Sequence, residues 1–307
     1  MPAPLRPTSP IFSPASTESV APERTFRSPP WYFTRSLATI TFMTQRLYKQ
    51  DPLTPGEREE LEEDLIAFCD RELDLLGDIS GLDVLYAGGS SPLWIEGLSQ
   101  RVGESGSVTA IDLDVGFVEK RQDSLGEAEL AAPIRLLAAD VFEMPFGPSA
   151  FDLVYSSGLF HELDVKERKA EDALAALHFV ARPGGRVATS DFVDSEPAVQ
   201  LEDESLEAEL MRAAYARELY GIRPPERLVL LHEKRLTDVW WRYQPPRRIR
   251  HLGKLVLAEN EPAELSSLPP VTARRLRERR DAIRGRIAVE GYTRPATLYV
   301  EGLVQNA

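Results

Sequence analysis

The stretch LDVLYAGGSSPLWIEGLSQRVGESGSVTAIDLD, from Leu82 to Asp114, decides the fold. LDVLYA is apolar on both faces, as a strand buried in a parallel sheet must be. Gly88, Gly89, Ser90 and Ser91 then let the backbone approach a ligand closely, and Pro92 suits the first turn of a helix, whose free N–H groups point back at that ligand. Helical spacing follows at Ile95, Leu98 and Val102. After the turn at Gly103–Gly106, SVTAI forms a second strand. Asp112 lies 24 residues beyond Gly88, close to where an acid accepts both hydroxyls of an adenosine ribose, with Leu113 beside it. The pattern implies a nucleotide-type cofactor on a doubly wound α/β sheet.

Two later blocks extend the pattern. LLAADVFEMPFGPSAFDLVYSSGLFHEL (136–163) contains two strands, with Asp140 and Val141 after the first and Phe151 and Asp152 opening the second. A helix carrying Leu174, Leu177 and Val180 ends in Arg182, Pro183, Gly184 and Gly185, followed by the strand RVATSDFV. In this order the blocks resemble the class I S-adenosylmethionine (SAM) dependent methyltransferases over Leu82–Val193, about a third of the chain. The resemblance implies a seven-stranded, mostly parallel, Rossmann-like sheet whose last strand runs antiparallel. It implies SAM as cofactor, with Gly88, Gly89 and Ser90 at the methionyl end, Asp112 and Leu113 at the ribose, Asp140 and Val141 at the adenine, and Ser156 nearby. The loop departs from the family pattern. Where relatives carry an acid and G-x-G-x-G, this chain has Tyr86, Gly88, Ser90 and Pro92. Ser90 is small and its hydroxyl can donate to a carboxylate, whereas Tyr86 cannot act as a carboxylate acceptor for the methionyl ammonium.

Methyl transfer from SAM needs an acceptor placed near the methyl, freed of water, and relieved of a proton if it is a hydroxyl. No triad or metal cluster is required by such chemistry. Of the four histidines, His161 follows the fourth strand at the sheet's C-terminal edge, where ligands of doubly wound folds bind. It is the candidate general base, weighed against a structural or cofactor-lining role. Trp31, Tyr32 and Phe160 are candidates for framing the acceptor pocket, and core packing is the alternative for these and for Trp94, Trp240 and Trp241.

Composition bounds the partners. The chain has 307 residues, of which 43% are hydrophobic and 28% charged, so one large α/β domain with additions is expected. A net charge of −13 argues against a nucleic-acid substrate, since phosphate binding needs concentrated positive charge. A small-molecule acceptor is favoured, and homo-oligomerisation is compatible with the sequence. No run approaches the ~20 apolar residues of a membrane span and no secretory signal is evident, so a cytoplasmic protein is expected. The single cysteine, Cys69, excludes an internal disulfide. The arginines of 274–280 read as the solvated face of a helix.

The organisation expected is a Pro/Ser-rich disordered tail (1–30), an N-terminal helical cap (31–80), the SAM-binding core (81–195) and a C-terminal part of the same domain (196–307) with a helical insertion on the substrate side. Thr54 and Glu57 have the spacing of a capping box before the helix that carries Cys69. ESLEAELMRAAYARELYG reads as a helix stopped by Gly221, TDVWWRYQ as the sixth strand and ATLYVEGLV as the seventh. A methyltransferase acting on a small molecule is the leading reading. A catalytically silent, methyltransferase-like binding or assembly protein is the alternative, its basis being the altered loop.

Overall fold

Asp83–Ala87 (β1) is buried along nearly its whole length because parallel strands take it on both sides. In the computed structural model, which describes residues 52–89, 91–116, 118, 130–195 and 198–305, β1 is joined by Ser107–Asp112 (β2), Ile134–Ala138 (β3), Phe151–Ser157 (β4) and Ala181–Val193 (β5). Thr237–Gln244 (β6) and Ala296–Leu303 (β9) complete a sheet of order β3-β2-β1-β4-β5-β9-β6. β9 is antiparallel to both of its neighbours. Chain order reverses direction between β1 and β4, and the crevice beyond their C-terminal ends is the place where such sheets bind ligands. A two-stranded ribbon, Arg247–Arg248 (β7) with Thr293–Arg294 (β8), stands apart from the main sheet.

Helices cover both faces. On one lie Pro55–Asp74 (α1) and Pro92–Val102 (α2), burying Leu61, Leu65, Phe68, Leu73, Ile95 and Leu98 against Val84, Tyr86 and Tyr155. Thr54 and Glu57 form the expected capping box on α1. On the other face, Ala170–Val180 (α3) and Pro225–Glu233 (α5) bury Leu174, Leu177, Leu228 and Leu231 against Leu85, Val154 and Val187. Arg182, the first residue of the RPGG turn, bridges Asp83 at 3.1 Å and Asp152, tying the N-terminal ends of β1 and β4 together. Cys69 is buried in α1 and its thiol is pushed up by burial, in keeping with a packing role.

The C-terminal part supplies Val199–Tyr215 (α4), Leu252–Ala258 (α6), the short Glu264–Ser267 (α7) and Pro270–Glu290 (α8). α4 starts five residues earlier than the reading from Glu204 and stops at Ala216 in the left-handed region (φ 54°), before Gly221. The arginines of α8 are paired rather than simply solvated, since Arg275 and Arg279 hold Glu209 at 2.6 and 2.8 Å and Arg277 holds Glu261 at 2.8 Å. Trp240 and Trp241 are not core residues. β6 is an edge strand, and both indoles are about half exposed there. Among the described residues no helix is long and apolar enough to cross a membrane.

The connection between β2 and β3 is pinned through α2, where the buried Ser99 hydroxyl donates to Ala132 O (3.2 Å) and accepts from Ala132 N–H (2.9 Å). Ser99→Ala removes the partner of two buried backbone groups, and a loss of about 2 kcal/mol is expected in urea denaturation, with an unchanged m-value.

Candidate active site

Among the described residues, two cavities open at the C-terminal edge of the sheet, and one short turn lies between them. The first, of about 430 Å³, is lined by Gly88, Asp112, Leu113, Asp140, Val141 and Leu159, together with loop 162–168 and residues 215–217 at the end of α4. Its floor is the β1 loop. Gly88 has φ +70°, and a Cβ there would run into Leu159; a Cβ at Gly89 would run into the ring of Tyr86. Both glycines are therefore required by the backbone and its neighbours. Their N–H groups donate to Ile111 O at 3.0 and 3.1 Å, which fixes the loop against β2. Tyr86 is buried and stacks on Tyr155 with centroids 5.7 Å apart, so the residue at the family's acidic position packs the core beneath the loop.

Asp112 ends β2, is buried, and accepts the Asp114 N–H at 3.0 Å while lining the cavity. Half-exposed Leu113 lies beside it. Asp140 caps the turn Val141–Glu143 by accepting the Phe142 N–H at 2.9 Å, and its second oxygen takes Arg168 Nη1 at 3.3 Å. Arg168 also pairs with Glu143 and lies over the Phe142 ring, 4.8 Å from its centroid. A carboxylate has about four acceptor sites, so Asp140 retains capacity for a further donor. At the start of α2, Ser91 Oγ is buried and has no hydrogen-bond partner among the described residues.

These features fit SAM. They offer a buried acid for a ribose diol, an acid and a buried valine for an adenine, a loop whose glycines leave no room for side chains, and an unsatisfied hydroxyl beside a helix N-terminus for a carboxylate. Ser90, Trp31 and Tyr32 lie outside the described residues. Two expected site residues are elsewhere. Ser156 is fully buried and lines neither cavity, because its hydroxyl donates to Thr189 Oγ1 at 3.2 Å. Phe160 is also fully buried, with its ring against Tyr220 and His232. Trp94 packs on Phe68 at 6.1 Å, as a core residue would.

The second cavity, of about 380 Å³, lies between α4 and residues 219–223 and is lined by His161, Glu162, Glu204, Glu207, Tyr220 and Arg223 among others. Charged and polar groups make up much of its wall. Glu162 lines both cavities. The turn Phe160–Glu162 leaves β4 through Gly158, in the left-handed region at φ +68°. Asp191 fixes it: one carboxylate oxygen accepts the N–H groups of Phe160 (2.6 Å) and His161 (3.3 Å), and the other accepts His161 Nδ1–H at 2.6 Å. Burial lowers the affinity of His161 for a proton, but the charge and hydrogen bond of Asp191 outweigh it and push the imidazole up to about 9. Residues 218–223 are stitched alongside by Gly221 N–H to His161 O, Tyr220 N–H to Leu163 O and Val165 N–H to Glu218 O, at 3.0, 2.8 and 2.7 Å. The sequence reading missed Asp191, Arg168 and Glu204. Only Asp191 carried a signal, an acid at the C-terminal end of a parallel strand.

A doubly wound sheet with a nucleoside-sized cavity at its switch point defines the class, a Rossmann-like ligand-binding fold. Residues 84–185 match the family described as a methyltransferase domain, over about a third of the chain. The ubiquinone/menaquinone biosynthesis C-methyltransferase of Idiomarina loihiensis is 30% identical over 121 residues, 39% of this chain and 46% of that protein. An O-methyltransferase of Penicillium expansum is 33% identical over 91 residues, 29% of this chain and 31% of that one. The chain thus spans about half the length, or less, of these curated relatives. Among solved structures, a SAM-dependent methyltransferase from Aquifex aeolicus is 20% identical, with a TM-score of 0.42 over 59% of this chain and 84% of that one.

Ser156 begins a buried relay. Thr189 passes its own hydroxyl hydrogen to His232 Nε2 (3.0 Å), and His232 Nδ1–H donates to Leu228 O (2.8 Å). Burial pushes the His232 imidazole down to about 4. The unfolded chain binds that proton near the ordinary value of 6.5, so this group lowers stability as pH falls from 6.5 towards 4, by on the order of 3 kcal/mol. Chemical denaturation at pH 7 and pH 4.5 is expected to show a smaller loss for His232→Gln than for the wild type.

Proposed function

We propose that the chain is an enzyme that transfers a methyl group from SAM to a small-molecule acceptor. The observation that carries this reading is the pair of cavities meeting at Glu162, one with the side chains a nucleoside needs and one free for a second reactant. Asp112 would accept the ribose hydroxyls. Val141 would pack on the adenine and Asp140 would accept its amine, with Arg168 holding the Asp140 carboxylate in place. Gly88 and Gly89 would let the methionyl part lie against the loop, with Ser90 and Ser91 at its carboxylate. Bound SAM supplies a methyl already activated by positively charged sulfur, so the protein's task is placement, exclusion of water and handling of any proton.

The relatives named above act through methyl transfer according to their descriptions, and they support the same reaction here. The acidic balance of the chain favours a small acceptor over nucleic acid.

Calorimetric titration with S-adenosylhomocysteine is the direct test. Micromolar binding is expected, and Asp112→Ala is expected to weaken it at least tenfold, since losing a buried carboxylate that receives two hydroxyls costs about 1.5 to 3 kcal/mol. Unchanged affinity in a folded variant removes the ribose assignment; absence of binding to the wild type removes the reading.

A further inference from the structure

We propose that the acceptor is a hydroxyl compound seated in the cavity between α4 and residues 219–223, and that its proton leaves to Nε2 of His161, which Asp191 holds in place. This rests on the methyl-transfer reading above and names the acceptor chemistry of that site.

The His161 side chain is more than nine-tenths buried yet lines the cavity. Its ring is fixed from one side only. Nδ1–H donates to Asp191 at 2.6 Å, while Nε2 makes no hydrogen bond among the described residues and stands 3.8 Å from Glu162 Oε1. A hydrogen bond at Nδ1 to a carboxylate selects the tautomer with the lone pair on Nε2. That lone pair is on the ring edge not held by Asp191, beside Glu162, which also borders the cofactor cavity. Phe192, 4.9 Å away between ring centroids, limits ring rotation. A base oriented by a third group and presented to a ligand cavity is the arrangement used to activate a protic nucleophile.

The acceptor class follows from what an imidazole can do. A neutral amine attacks with its own lone pair and has no need of a base before bond formation. An unactivated carbon acid holds its proton too tightly for imidazole. A hydroxyl is a poor nucleophile that gains from losing its proton as it attacks. In the balanced step the acceptor oxygen bonds to the methyl carbon and the carbon–sulfur bond breaks with its electron pair left on sulfur. The hydroxyl proton passes to Nε2, and the resulting imidazolium is paired with Asp191 until the proton leaves to solvent.

The charged groups around the ring favour that intermediate charge. Asp191 faces it from β5 and Glu204 from α4, while Glu162, on its own turn, has its carboxyl pushed up to about 8 by burial and carries charge only towards the upper end of the pH range. Asp194, Glu207, Arg212 and Arg223 line the same cavity, the two arginines being exposed. Asp191 acts through His161 and is a positioning residue.

The test uses the full chain loaded with S-adenosylhomocysteine, and ¹⁵N NMR of its four histidines. The expected spectrum has the His161 proton on Nδ1, and Nε2 titrating near 9, above the ordinary 6.5. Asp191→Asn is expected to lower that titration by at least about one pH unit. His161→Gln is expected to keep S-adenosylhomocysteine affinity within about twofold while transfer from SAM to a panel of phenols and alcohols falls about a hundredfold or more. The wild-type rate should climb with pH towards 9, and the Asp191→Asn limb should lie at lower pH. Four results overturn the proposal while the SAM reading stands: a proton on Nε2 in the neutral ring, a titration unmoved by Asp191→Asn, full transfer by His161→Gln, or no transfer to any hydroxyl of the panel. Failure of the wild type to bind S-adenosylhomocysteine overturns both.

Discussion

A buried carboxylate has to be satisfied from every side, and Asp191 meets that requirement by collecting four donors: the N–H groups of Phe160, His161 and Phe192, and the His161 ring. Each of those bonds fixes a different part of the molecule. Two set the turn that leaves β4, one sets the imidazole, and one anchors the end of β5. Once that turn is fixed, Gly221 and Tyr220 pair with it, Leu159 closes over Gly88, and Glu162 comes to border both cavities. Leaving the carboxylate uncompensated would loosen both sites together, because one turn forms part of each.

Much of the sheet was legible because its signals are local. Apolar strands, small-residue turns and the RPGG stop lie within single stretches, and the order β1, α2, β2 could be read directly from Leu82–Asp114. Asp112, Asp140 and Val141 could be placed at the sheet edge in the same way, because each sits at or just beyond the end of a strand. Ser156 and Phe160 could not be placed that way. Side chains alternate along a strand, and whether Ser156 meets the ligand or Thr189 depends on the register of β4 against β5. The orientation of His161 depends on a residue thirty positions later. The loop that departs from the family pattern has a packing explanation: Tyr86 stacks on Tyr155 and occupies the volume under Gly89, so the substitution that looked like a lost ligand group is also a gained core contact.

The C-terminal helices are held by charge in a way that net composition conceals. Arg250 reaches Asp64 at 2.9 Å and Glu63 at 3.2 Å, His251 reaches Glu60 at 2.7 Å, and Lys254 pairs with Glu57. The acidic face of α1 is thus matched to residues nearly two hundred positions away. Exposed pairs of this kind contribute little individually. As a set they orient the insertion so that α8 packs on α4, where Tyr292 donates to Asp203 at 3.1 Å and Arg286 pairs with Glu202. The second cavity is in that sense an outcome of how the insertion is docked.

The position of β9 has a consequence for how the protein is made. It lies between β5 and β6, yet it follows both of them in the chain. Strands β1 to β5 and the crevice beyond them can pair as soon as residue 193 has emerged. β6 emerges more than fifty residues before β9 and has no neighbour in the sheet until Ala296–Leu303 arrives. During that interval a strand bearing Trp240, Trp241 and Tyr243 is unpaired, the kind of edge on which nascent chains associate wrongly. Synthesis of Ala296–Leu303 therefore closes the period of greatest exposure to aggregation.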